Sequence, residues 1–65
     1  MMAKEFVYHP PKDDQAERYT RIRAAGANLA DMVTDLCPNS HERDLAFDKI
    51  REAVMWANAA IACNE

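Results

Sequence analysis

One feature limits the fold more than any other: two long stretches without a helix breaker, each with apolar or small residues spaced alternately by three and four. In the first, Tyr19, Ile22, Gly26, Leu29, Val33 and Leu36 follow one another at 3, 4, 3, 4 and 3 residues. In the second, Phe47, Ile50, Val54, Ala57 and Ile61 repeat the pattern. Such spacing aligns the residues on one stripe of an α-helix. Pro38 lies between the stretches and forces its predecessor out of the helical region. Asp13 or Asp14 is expected to cap the first helix, and Asn39, with Glu42 three residues on, to open the second. A connection of two or three residues makes the helices antiparallel neighbours. The predicted fold is therefore all-α: one domain over residues 1–65, with a short arm or helix over about 1–12 and helices over about 13–37 and 40–63. Tyr19 should lie opposite Asn58, and Arg23 opposite Val54.

A chain of 65 residues has little capacity to build a closed core by itself. From Ala53 to Cys63 only Asn58 is polar. A helix that is apolar on every side requires cover on every side, and one neighbour covers a single stripe. Val54, Met55, Trp56, Ala59, Ala60 and Ala62 are thus expected at contacts with other copies of the chain, with Trp56 as the anchor. The chain reads as an obligate homo-oligomer.

The formal net charge is −3, which argues against a DNA or RNA polymer as partner. Residues 1–25 nevertheless hold five basic groups against four acids, whereas residues 26–65 hold three against seven. A compact anion should therefore bind in the first half. Met1-Met2-Ala3-Lys4 is not followed by an apolar run, so no signal peptide is expected, and no stretch is long enough for a membrane span. Cys37 and Cys63 lack metal-ligand spacing and would flank the second helix at its two ends, ~35–40 Å apart and too far to be bridged. Reduced thiols, no metal and no cofactor are expected. Catalytic motifs are lacking too: no nucleophile lies near a His, and no glycine-rich phosphate loop or HExxH pattern occurs. Asp13, Asp14 and Glu17 are explained by a helix N-terminus, and His41 by solvent.

Two clusters could hold a ligand. Phe6-Val7-Tyr8-His9-Pro10-Pro11-Lys12 gathers aromatic, imidazole, rigid and cationic groups before the first helix. It reads either as an arm anchored on a neighbour by Phe6, or as a stacking platform at Tyr8 with Lys12 beside it for an anion. Arg18, Tyr19, Arg21 and Arg23 form the second cluster. The arginines suit a solvated face, but Arg23 borders the helix seam, where it could reach a phosphate held between subunits.

Tyr8-His9-Pro10-Pro11-Lys12, the run from Gln15 to Arg23 (QAERYTRIR) and, most specifically, Glu52 to Ala62 (EAVMWANAAIA) resemble the bacteriophage anti-CBASS cyclic-nucleotide sponges. That family shares its hairpin domain with phage anti-Thoeris sponges. The resemblance spans nearly the whole chain. It implies a hexamer of hairpins in the host bacterial cytoplasm that sequesters cyclic dinucleotides such as 3′,3′-cGAMP without cleaving them. Pockets for dinucleotides would form between two protomers, and some members hold cyclic trinucleotides between three. Carried over by motif, Tyr8 would stack on a purine, Arg23 would contact phosphate, and Phe6, His9 and Lys12 would line the same pocket. Cys63 stands where the family usually has Arg, which puts a trinucleotide site in doubt. The competing reading is a small helical adaptor or inhibitor that docks on a protein target through its apolar face.

Overall fold

The computed structural model describes residues 12–65. The predicted arm, with Phe6, Tyr8 and His9, lies outside the described residues. Two helices account for nearly all of the rest: α1 (Gln15–Leu36) and α2 (His41–Asn64). They pack against each other as a hairpin, and the described residues contain no strand.

The turn follows from local chemistry. Pro38 leaves Cys37 extended at φ −112°, ψ 137°, which stops α1. The N-cap of α2 is Ser40 rather than Asn39: its Oγ accepts a hydrogen bond from the Arg43 amide at 3.1 Å and donates one to the Pro38 carbonyl at 3.0 Å. A hydroxyl can do both at once, whereas an Asn carboxamide one residue earlier would miss the N3 amide. With Ser40 as cap, Arg43 and not Glu42 occupies N3, so the predicted capping box does not form. Arg43 instead closes the other side of the turn. Its Nη1 donates to the Cys37 carbonyl at 3.3 Å and lies 3.5 Å from that of Thr34, placing a cation on the exposed C-terminal carbonyls of α1. Its guanidinium also lies 5.6 Å from the centre of the Phe47 ring.

Along the seam, Gly26 sets the closest approach. A Cβ at that position would stand 2.6 Å from Val54 Cγ2 and 3.8 Å from Ile50 Cγ2. The absent side chain is what lets a β-branched residue of α2 nest against the α1 backbone. This contact sets Val54 against Gly26, almost one turn farther along α1 than Arg23, its expected neighbour. The half-buried stripe of α1 runs through Ile22, Gly26, Ala30 and Val33, facing Phe47, Ile50, Val54, Ala57 and Ile61. Leu29 and Leu36, expected on the seam, are 49% and 75% exposed. A straight helix of 3.6 residues per turn drifts away from a 3.5-residue repeat, so the contact line crosses from Leu29 to Ala30.

No apolar side chain among the described residues is fully buried. Met55 and Trp56 are 54% and 63% exposed, and Met32 and Leu45 are exposed as well. One hairpin thus forms a seam without enclosing an interior.

The open end of the hairpin is tied by polar groups. Arg18 donates to both carboxylate oxygens of Glu65, through Nη1 at 2.8 Å and through Nη2, and its Nε donates to Asp14 at 3.0 Å. Gln15, the most buried polar residue at 7% exposure, gives its amide to Glu65 at 3.2 Å and accepts the Lys12 backbone N–H at 2.9 Å. Asp14 is the N-cap residue of α1 but caps nothing with its side chain, which is committed to Arg18. Asp13 has φ 49°, a left-handed value that Asp tolerates better than most residues.

Hydrogen bonds from Arg18, and then from Gln15, lower the Glu65 carboxyl from its ordinary value to about 2. Because the folded state depresses this pKa, the clamp's contribution is complete above the unfolded-state value of about 4.3 and disappears as pH falls toward 2. Thermal melts between pH 6 and 2.5 should show the wild type losing more of its melting temperature than Glu65→Gln. Equal losses would show that the carboxylate contributes nothing.

Candidate functional site

Between the two helices lies an open-sided groove of about 520 Å³, lined by Arg23, Gly26, Ala27 and Ala30 of α1 and by Phe47, Ile50, Arg51 and Val54 of α2. Small residues on α1 create it. Gly26, Ala27 and Ala30 leave the α1 side low, and Phe47, Ile50 and Val54 form the opposite wall. Most of the lining is apolar, and its two charges are both positive.

Arg23 is exposed and makes one long contact, from Nη2 to Thr20 Oγ1 at 3.4 Å. No carboxylate among the described residues pairs with it. Its fork of donors is therefore available to an incoming anion, unlike that of Arg18, which Asp14 and Glu65 occupy. Arg51 carries an i,i+3 pair with Asp48, Nη2 to Oδ1 at 2.8 Å, on an exposed surface. Within the sequence Arg51 is one more member of the alternating charged face of residues 40–52, with no signal that sets it apart. Only the packing of α2 on α1 shows that this side chain borders the same groove as Arg23.

Of the other expected ligand residues, Lys12 is described and exposed. It precedes α1 and lies eleven residues before Arg23. Lys12 is not among the residues that line the groove. Phe6, Tyr8 and His9 are outside the described residues. Among the expected interface residues, Met55, Trp56 and Ala60 are exposed and Ala59 is half-buried, while Val54 already packs against Gly26 within the chain. The Asn58 Oδ1 atom is covered yet accepts no hydrogen bond within the described residues.

Among the described residues no cluster of three or more His, Cys, Asp or Glu is arranged to hold a metal ion, and Cys37 and Cys63 are free and exposed. No described helix is long and apolar enough to cross a membrane. Taken together, the geometry offers a concave apolar surface edged with guanidinium groups, suited to an anion that carries flat apolar parts. A family model described as the Acb2/Tad1 hairpin domain matches residues 2–62. Comparison with curated proteins and with solved structures finds no match.

Proposed function

From the premise that this chain belongs to the Acb2/Tad1 hairpin-domain family, we propose that it captures cyclic dinucleotide second messengers such as 3′,3′-cGAMP and holds them unchanged. The family is one of sponge-type phage anti-defence proteins. On this reading the protein works inside the infected bacterium, where keeping the messenger bound denies the host's CBASS effector its signal. The observation that carries the reading is the groove beside Arg23, where a guanidinium with no ion-pair partner among the described residues adjoins an apolar hollow.

A cyclic dinucleotide presents two phosphates and two bases. At a two-fold junction between hairpins each residue occurs twice, so one Arg23 and one Tyr8 per chain suffice for two charge contacts and two stacking planes. Phe6, His9 and Lys12 complete the pocket from the arm, and Val54, Met55, Trp56, Ala59 and Ala60 assemble the hexamer. The lone hairpin supports assembly in one respect: it leaves Trp56 and Met55 largely uncovered. Cyclic trinucleotides are a second candidate ligand, whose separate site would have Cys63 in place of the basic residue that the family usually has there.

Isothermal titration with 3′,3′-cGAMP, followed by denaturation and chromatography of the released ligand, tests the proposal. The expected result is saturable binding and full recovery of intact nucleotide, and linear products would overturn it. The exposed Trp56 would also suit an adaptor that docks on a protein target. Light scattering on the same sample decides between them, because a folded monomer favours the adaptor and an oligomer favours the sponge.

A further inference from the structure

Along the groove, the contact between Gly26 and Val54 sets the register of the two helices. Arg23 stands three residues before Gly26, and Arg51 three residues before Val54. In an antiparallel pair those offsets run in opposite directions, which separates the two arginines by ~9 Å along the axis, on opposite walls. Their chains of methylenes can span most of that distance, so both forks are able to meet at one anion.

We infer that Arg51 is a second anion-contacting residue of this groove, acting with Arg23 on the phosphates of the bound nucleotide. Asp48 holds it when the groove is empty. The inference rests on the proposed capture of a cyclic dinucleotide and assigns to that site a residue from α2. Three observations support it. Arg51 lines the groove jointly with Arg23. Among the described residues these are the groove's only charged lining groups, and both are cationic in a chain of net charge −3. The pair that restrains Arg51 is weakly held, with side-chain exposures of 79% for Arg51 and 62% for Asp48. An exposed i,i+3 pair of this kind contributes little and yields readily to a phosphate. The Asp48 carboxylate then becomes a nearby negative charge that opposes the ligand, so its removal should favour binding.

The test is isothermal titration of 3′,3′-cGAMP into the wild type, Arg51→Ala, Arg51→Lys and Asp48→Asn at low and at moderate salt, with a thermal melt of each. Arg51→Ala is expected to weaken binding about three- to tenfold, with an unchanged melt and a shallower salt dependence. Arg51→Lys should fall between Arg51→Ala and the wild type, and Asp48→Asn should bind about two- to threefold more tightly. If the wild type binds and Arg51→Ala and Asp48→Asn both bind equally well, the assignment of Arg51 is wrong and the sponge reading survives. If the wild type binds no cyclic dinucleotide, the sponge reading fails and this assignment fails with it.

Discussion

Arg23→Ala is expected to weaken capture of 3′,3′-cGAMP by about 10- to 100-fold, the loss that follows from removing a charge-assisted hydrogen bond in a partly dehydrated site. The fold should not register the change. Arg23 is exposed, and its one side-chain hydrogen bond among the described residues, to Thr20, is long. A circular-dichroism melt and the oligomer mass should therefore match the wild type. Tyr8→Ala should act in the same direction, because stacking of a base on an aromatic ring contributes about 1–3 kcal/mol. Arg23→Lys separates charge from geometry: it retains the positive charge but loses the planar fork, and should recover only part of the affinity. Titration of the three variants gives the answer, and wild-type affinity in Arg23→Ala would remove the groove from consideration as the site.

The largest structural effect is expected at Gly26. A methyl group there would lie 2.6 Å from Val54 Cγ2, closer than packed carbons approach. Val54 is β-branched and held to one side-chain rotamer on a helix, so it cannot turn away cheaply. Gly26→Leu should destabilise the hairpin by about 3 kcal/mol, the upper end for overpacking a seam. Gly26→Ala should cost less, because alanine's better helix propensity returns about 1 kcal/mol. Shortening the partner supplies the control: Gly26→Ala combined with Val54→Ala should recover stability relative to Gly26→Ala alone. Denaturant unfolding followed by circular dichroism measures all three. Gly26→Leu unfolding with the wild-type midpoint would mean that the helices do not meet there.

How much of this could be read from the chain differs from element to element. Both helices follow from the spacing of Ile22, Gly26 and Val33 and of Phe47, Ile50, Val54 and Ile61, because a 3.6-residue period is a local property, and their antiparallel pairing follows from the short connection. The position of the break was equally legible at Pro38. The cap was not: Asn39 and Ser40 are both good caps, and the choice depends on where the extended Cys37 leaves the chain pointing. Leu29 and Leu36 show a second limit, since a heptad pattern does not reveal the cumulative drift of two straight helices. Arg23 was recognisable as an edge residue of α1. Arg51 was not, since its role depends on what stands across the groove rather than on any pattern within α2. Residues of the arm belong to a third category, chemistry visible in Phe6, Tyr8 and His9 without a described conformation to test it.

The described residues of the hairpin seal no apolar side chain away from water, so an enclosed interior contributes little to its cohesion. On the proposed reading the further burial is contributed by neighbouring copies, and contributions from neighbours obey mass action. Its robustness is then a property of the solution as much as of the chain. Concentrating the protein should strengthen it, dilution should act on it as a mild denaturant, and a small molecule gripped at the joints would serve as mortar.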